Sequence, residues 1–231
     1  MVNMRSPMAP EPHELSTRAR IRAAAIERFG RDGFAVGVRQ IADDAGVSAA
    51  SVMKVFGSKE ALRVACDAYV FRTVREAKRD VLVEPGAPGA FLGQLARIDE
   101  YRPLVGYVLR SIQDGGPHAA EFVDHMVADA LEYIADGVAA GTIVPSRDEE
   151  ARARYLMGAV FGALMLDALR PGAAADPGER MLGAIERTAL PALELMSEGF
   201  LTDRSMLDAY LEYVPDPPVE GDTPEPSLHS D

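Results

Sequence analysis

The fold is decided by residues 38–52, which read VRQIADDAGVSAASV. Ile41 and Ala45 lie four residues apart and mark the small apolar face of a short helix. Gly46 supplies a tight turn, and Ser48 is placed to cap a second short helix. This arrangement is typical of a helix-turn-helix, whose second helix stands out from the body and can enter the major groove of DNA.

Hydrophobic periodicity and capping residues predict helices on both sides of this stretch. The first helix carries apolar residues at three and four spacing and ends at the turn containing Gly33. The predicted N-terminal helices cover residues 14–31, 38–45, 49–56 and 58–83. Four apolar residues fall at the spacings of core positions: Val47, Val52, Phe56 and Leu62.

Longer helices follow, separated by proline and glycine. Further helices are predicted over residues 89–98, 102–113, 117–140, 147–170, 177–198 and 203–213. Nearly half of the 231 residues are apolar, with few β-branched runs, which is typical of amphipathic helices around a core. The sequence therefore predicts an all-α protein.

The charge is unevenly divided along the chain. Residues 1–80 carry 14 Lys and Arg against 10 Asp and Glu, whereas residues 81–231 carry 10 against 26. The net charge of −12 therefore resides entirely outside the N-terminal third. A mildly basic end on an acidic body is compatible with binding to phosphates at one end of the molecule.

Several classes of protein lack support in the sequence. One cysteine, Cys66, excludes an internal disulfide framework and a cysteine-rich zinc site, and we interpret it as a buried small hydrophobe. No apolar segment is long enough for an export signal or a membrane span, so we expect a cytoplasmic protein with no membrane partner. Catalytic motifs and phosphate-binding loops are also absent, so no catalytic residue, enzyme activity or cofactor is predicted.

The N-terminal part of the chain resembles the signature of the TetR family of transcriptional regulators. The resemblance covers about 46 residues, with matching residue types at matching spacings in four successive helices. The matching positions are Thr17 through Phe29, Gly33-Phe34, Ile41-Ala42, Ala45-Gly46-Val47-Ser48, Phe56, Ser58-Lys59-Glu60 and Leu62. The remainder matches the family only in being helical and of suitable length.

The resemblance implies a fold and a function. It implies an N-terminal three-helix helix-turn-helix domain joined to a larger helical domain for ligand binding and dimerisation. The implied regulator is a homodimer that binds double-stranded operator DNA and is a repressor released by a small-molecule effector, although an activator with the same DNA contacts stays open. We divide the chain into a flexible N-terminus (1–13), a DNA-binding domain (14–60), a sensing and dimerisation domain (61–214) and a disordered acidic tail (215–231).

The resemblance also implies which residues contact DNA. The groove-facing set comprises Ser48, Ala49, Ala50, Ser51, Met53 and Lys54. Arg39 and Lys59, at the starts of two helices, would lie beside phosphates, where cationic side chains and free amides bind anions.

Two departures from the family pattern remove polar groups. Met53 stands where the family usually has a tyrosine, and Gly37 stands where it usually has a hydroxyl residue. We hypothesise that base specificity rests on Lys54, Ser51 and Gln40 together with DNA shape. The alternative is a helical binding or scaffold protein whose N-terminal unit no longer reads DNA.

Residues for dimerisation and ligand binding are assigned from helix faces. Small residues four apart give one late helix a flat face, and the next helix is apolar enough to pack beside it, although a contact within one subunit stays open. The candidate dimer residues are Gly158, Ala159, Gly162, Ala163, Leu182 and Ile185. We expect most of the larger apolar residues in this region to be core, and the candidate pocket residues among them are Phe71, Phe91, Tyr101, Tyr107, Phe122, His125, Met126 and Tyr133. Glu121, His125 and Asp129 stand four apart, but we favour a salt-bridged surface over a metal site there.

Overall fold

The computed structural model describes residues 17–83, 87–172 and 176–214, and these residues form helices without any strand. The ten α-helices are α1 (Thr17–Asp32), α2 (Val38–Asp44), α3 (Ala49–Phe56), α4 (Lys59–Leu82), α5 (Ala87–Leu95), α6 (Arg102–Gln113), α7 (Gly116–Ala139), α8 (Glu149–Ala168), α9 (Pro177–Ser197) and α10 (Ser205–Tyr213). The predicted all-α class is confirmed. The proposed flexible N-terminus and acidic tail lie outside the described residues.

Helix ends follow local chemistry that the sequence displays. The hydroxyls of Ser48 and Ser58 accept hydrogen bonds from backbone amides three residues later, at 3.1 and 3.0 Å, and so begin α3 and α4. Asp148 caps α8 in the same way, at 2.8 Å, which places the start of that helix two residues after the predicted one. Gly33 takes a φ of +85° just after α1, the left-handed conformation that favours glycine at a helix end.

One predicted helix begins and ends earlier than expected. The helix expected over residues 89–98 ends with α5 at Leu95, and a short 3-10 turn, Ile98–Tyr101, leads into α6. The sequence contains no proline at this break. Pro103 instead lies in the first turn of α6, where its missing N–H is tolerated.

The main core joins the N-terminal helices to the body of the protein. It runs without interruption from Ile21 and Phe29 in α1 to Tyr107 in α6 and Phe122 in α7. The rings of Phe34 and Tyr107 meet edge to face, with centroids 5.6 Å apart. Because α1 packs directly on α6, a movement of the body can be transmitted to the helix-turn-helix.

Smaller clusters hold the later helices together. Leu109, Leu164 and Ala184 connect α6, α8 and α9. A further cluster, which includes Val127 and Ala153, joins α7 to α8. None of the described helices is long and apolar enough to cross a membrane.

Candidate DNA-reading surface and sensor cleft

The helix-turn-helix is held at a defined angle by backbone and charged contacts. The Val47 amide donates to the Ala42 carbonyl at 2.9 Å across the turn, where Gly46 takes a φ of +64°. The Arg28 guanidinium donates two hydrogen bonds of 2.6 Å to the Asp44 carboxylate, which ties α1 to the end of α2. These hydrogen bonds lower the pKa of Asp44, so the contact persists at neutral pH.

The hydroxyls at the start of α3 are engaged with each other. Ser48 and Ser51 Oγ atoms lie 2.8 Å apart, and Ser48 Oγ also accepts from the Ser51 amide. Both side chains are therefore partly committed to capping α3. Their expected role at the groove competes with a structural one.

Three residues of the groove-facing set project outward from α3. Ala50, Met53 and Lys54 are exposed, with Met53 at 44%. Ala49 is half-buried and packs partly on the main core, and its expected groove contact stays a prediction. Val52, Phe56 and Leu62 are buried as predicted, whereas Val47 is only half-buried.

The residues expected beside phosphates occupy the starts of α2 and α4. Arg39 is exposed, and Lys59 is half-buried at the first position of α4. Gln40 is also exposed, but its Oε1 accepts from the Gly37 amide at 3.1 Å and caps α2. This bond satisfies the Gly37 amide, not the first helical amides that a hydroxyl at position 37 would cap, and it competes with the expected role of Gln40 in reading bases.

An arginine of α1 that no sequence motif singled out contacts the end of the reading helix α3. Arg18 in α1 donates to the Val55 carbonyl near the end of α3, at 3.1 Å, and stacks over the Phe56 ring at 4.5 Å from its centroid. The guanidinium therefore satisfies a helix-end carbonyl and covers an aromatic face. No local sequence signal relates residues so far apart in the chain.

An open cleft lies between α4 and α7, and we call it the sensor cleft. Its volume is about 370 Å³, and Phe71, Phe122 and His125 lie among its lining residues. The Phe71 ring contacts the Phe122 and His125 rings at a tilt, with centroids 4.6 and 4.1 Å away. Met126 and Tyr133 line a neighbouring void of only about 20 Å³ next to Phe71.

Three expected pocket residues lie elsewhere. Tyr107 is fully buried in the main core between Phe34 and Phe122, because it sits on the inner face of α6. Phe91 belongs to α5, and Tyr101 ends the 3-10 turn with its side chain against the main core. None of these three residues is among those that line the sensor cleft.

A buried carboxylate that the sequence analysis overlooked forms one wall of the sensor cleft. Asp67 in α4 is 8% exposed, and the Tyr107 hydroxyl donates to its Oδ1 at 2.6 Å. His118 Nε2 at the start of α7 lies 3.4 Å from Oδ2. Burial raises the pKa of Asp67. Its position next to Cys66 on the apolar face of α4 was the available sequence signal.

Removing the Tyr107 hydroxyl is expected to destabilise the protein. The Tyr107→Phe variant should lose about 2 kcal/mol in the free energy of unfolding at neutral pH, because a buried carboxylate loses a donor. Because the pKa of Asp67 is raised in the folded state, ionisation of this carboxyl lowers the free energy of unfolding at pH values above the ordinary pKa of an aspartate. The difference in the free energy of unfolding between the parent and Tyr107→Phe should therefore become smaller as the pH falls through the pKa of folded Asp67.

Urea unfolding at several pH values measures this effect. Tyr155→Phe provides the control, because the Tyr155 side chain is 75% exposed and should change stability by less than about 0.5 kcal/mol. Equal unfolding midpoints and slopes for the two variants would show that the hydroxyl of Tyr107 contributes nothing to stability.

The candidate dimer residues divide into outward and inward groups. A Cβ added at Gly158 or Gly162 would meet no described atom within 4 Å outside its own helix, and Ala159 is exposed while Ala163 is half-buried. Leu182 is 5% exposed, and Ile185 packs on the cluster that joins α6, α8 and α9. Both residues therefore pack within the subunit, and their place in a dimer interface stays a prediction.

Apolar residues of α8 and α9 other than Leu182 and Ile185 face outward. Exposed large side chains in these two helices include Val160, Met165, Leu166, Leu190, Leu193 and Met196. Periodicity alone did not separate them from the inward residues, because α8 is apolar on several faces.

The remaining polar clusters bear on metal binding by residues 17–83, 87–172 and 176–214. These residues contain no group of three or more His, Cys, Asp or Glu arranged to hold a metal ion. His125 Nε2 lies 4.0 Å from Asp129, which itself forms an ion pair with Arg75 at 3.1 Å. Cys66 is buried, and burial raises the pKa of its thiol, so the reactive thiolate is disfavoured.

Comparisons with known proteins agree with this geometry. The family model "Bacterial regulatory proteins, tetR family" matches residues 21–66, and "Tetracyclin repressor-like, C-terminal domain" matches residues 99–202. The HTH-type transcriptional regulatory protein RaaS of Mycobacterium tuberculosis is 44% identical over 198 residues, which cover 86% of this chain and 93% of that protein.

A solved structure shows the same fold. It comes from Clostridium perfringens and bears the name of a candidate fatty acid metabolism regulator; it is 16% identical, with a TM-score of 0.55, and the match covers 80% of this chain and all of that one. The matched families consist of regulators rather than enzymes. The chain belongs to the TetR family and is a DNA-binding transcriptional regulator of the helix-turn-helix type.

Proposed function

We propose that this regulator is a homodimeric repressor that a small molecule releases from its operator. In this proposal residues 14–60 read DNA and residues 61–214 sense the ligand and dimerise, and the protein works in the cytoplasm beside the chromosome. The observation that carries the proposal is the outward set Ala50, Met53 and Lys54 on a braced α3, joined through one core to the sensor cleft.

Dimerisation follows from the size of the reading surface. One short helix contacts too few base pairs to select an operator, and paired helix-turn-helix units bind half-sites about 34–36 Å apart. The outward apolar residues of α8 and α9 supply a surface for a second copy. Members of the TetR family act as dimers on operator DNA with small-molecule effectors.

Ligand release has a physical basis in α4. Lys59 begins this helix beside the expected phosphates, and Asp67 and Phe71 of the same helix line the sensor cleft. A ligand that binds one position of α4 more tightly than another shifts the spacing of the two reading units, and operator affinity falls in proportion.

The Lys54→Ala variant tests the reading surface. We expect operator affinity to fall about 10-fold and base preference at one position to relax, because Lys54 is the exposed cation of α3. Footprinting on the DNA beside the chain's own gene, followed by titration over a salt series, provides the measurement. Arg170→Ala, an exposed residue just beyond α8, is the matched control and should bind like the parent.

Each step has an outcome that contradicts it. Unchanged affinity and preference in Lys54→Ala would remove Lys54 from the reading surface, and absence of any salt-dependent footprint would contradict operator binding near this gene. A reporter gene placed downstream of the footprinted DNA separates repression from activation.

A thermal-shift screen of small molecules tests ligand control. The screen is repeated with Ala68→Trp, a variant that fills the sensor cleft. Effectors should stabilise only the parent chain and weaken its footprint.

A further inference from the structure

The last helix of the chain lies outside the packed body of the protomer. Every residue from 193 to 210 is exposed, a stretch that includes the end of α9, the connecting loop and most of α10. Helix α10 is nine residues long, and a helix of that length is not stable in water without tertiary contacts. Something must therefore cover α10 when the protein is assembled.

One side of α10 is strongly apolar. Met206, Tyr210 and Tyr213 stand at intervals of four and three and share one face, and their side chains are 68%, 62% and 84% exposed. Leu207 lies beside them and is exposed too, and Phe200 in the preceding loop is 86% exposed. The polar positions Asp208 and Glu212 fall on the opposite side. This asymmetry is typical of a helix that binds a protein surface.

The apolar side of α10 continues the surface through which the dimer is proposed to form. Leu190, Leu193 and Met196 carry the exposed apolar surface along α9, and Phe200 and Leu201 extend it through the loop. In a two-fold dimer each copy meets the same patch of its partner, so an extension at one edge of the patch reaches the other subunit. The match to the C-terminal family model ends at residue 202, before α10 begins.

Charge argues against two other occupants. Residues 203–213 contain Asp203, Asp208 and Glu212 against one arginine, Arg204, which pairs with Asp208 at 2.9 Å. An acidic segment is repelled by DNA phosphates and by anionic lipid headgroups. A second copy of the chain, with its large apolar surface on α8 and α9, is the better complement.

We propose that Phe200, Leu201 and α10 form an arm that packs on α8 and α9 of the other subunit. The proposal rests on the homodimer of the proposed function. In this proposal the arm adds a contact outside the central interface. Loss of the arm therefore weakens the dimer but leaves the interface around Gly162 in place.

Photocrosslinking identifies what α10 touches. A full-length chain with p-benzoylphenylalanine in place of Tyr210 is mixed with an ¹⁵N-labelled parent chain, illuminated and digested. We expect peptides that join the ¹⁴N arm to ¹⁵N peptides from α8 or α9. Cross-links confined to one chain, cross-links to helices other than α8 and α9, or the absence of cross-links would overturn the proposal.

A charge placed on the arm measures its contribution. Tyr210→Asp should raise the dimer dissociation constant at least 10-fold in sedimentation equilibrium, because it puts a carboxylate into an apolar contact. Ser205→Asp adds the same charge to the polar side of α10 and should leave the constant within about twofold of the parent. Equal dimer dissociation constants for Tyr210→Asp and Ser205→Asp would contradict the proposed arm.

The same measurement separates this proposal from the proposed function. A parent chain that is monomeric throughout the micromolar range would contradict the homodimer itself. A dimeric parent whose constant is unchanged in Tyr210→Asp would contradict only the arm. At protein concentrations below the dimer dissociation constant, the unfolding midpoints of both variants should match that of the parent, since both side chains are exposed in the protomer.

Discussion

A Gly162→Arg chain is expected to be monomeric and to bind its operator at least 100-fold more weakly than the parent. The substitution has room in the protomer, because an added Cβ at Gly162 meets no described atom within 4 Å beyond α8 itself. Across a dimer interface the same side chain would force apart two closely approaching helices and desolvate a charge. Loss of the second reading unit removes half of the DNA contacts, and specific binding typically exceeds non-specific binding by about 10³-fold or more.

Sedimentation equilibrium and operator titration on one preparation measure both effects. Ala128→Arg, on an exposed position of α7, is the control and should remain dimeric with parent-like operator affinity. Circular dichroism should show unchanged helicity in both variants. A Gly162→Arg dimer with parent-like affinity would place the interface elsewhere and would contradict the proposed role of α8.

The structure of the reading unit was largely predictable because its determinants are local. Ser48 and Ser58 cap helices that begin at the next residue, and Gly33 and Gly46 turn the chain where a positive φ is needed. These signals act over three or four residues, which a single sequence displays completely. The helix boundaries of α3 and α6 were predicted to the residue.

Contacts between helices were harder to predict, because they depend on how each helix is rotated. Leu182 and Leu190 are equally apolar in sequence, yet Leu182 is 5% exposed and Leu190 is 74% exposed. Tyr107 was assigned to a pocket by its chemistry, but the inner face of α6 directs it to Asp67. Residue type indicates what a side chain can do, and only packing decides where it does it.

The polar groups of the reading surface illustrate the same limit. Ser48, Ser51 and Gln40 have side chains able to contact bases, but in the free protein they cap α2 and α3. Each must exchange or share a hydrogen bond before it reads DNA, which offsets part of the gain. Lys54 has no such competing assignment in α3, so it becomes the leading candidate for base recognition.

A Gly30→Ala chain is expected to lose about 3 kcal/mol in the free energy of unfolding, which is large for one methyl group. An added Cβ at Gly30 would lie 2.8 Å from the Tyr107 amide nitrogen and 3.0 Å from the Gly106 carbonyl carbon. Both are backbone atoms of α6, so no side chain can rotate away and the two helices must separate. Glycine is therefore required in α1 despite its unfavourable helix propensity.

The matched control is Gly89→Ala in α5, where an added Cβ meets no described atom within 4 Å outside the helix. That change should raise the free energy of unfolding by about 0.5 kcal/mol, because alanine favours a helix more than glycine does. Urea unfolding of both variants therefore gives opposite signs for the same chemical change. A Gly30→Ala chain as stable as the Gly89→Ala chain would mean that α1 can move off α6 at little cost. Such a loose contact could not transmit a change in the sensor cleft to the reading helices, so ligand control would need another route.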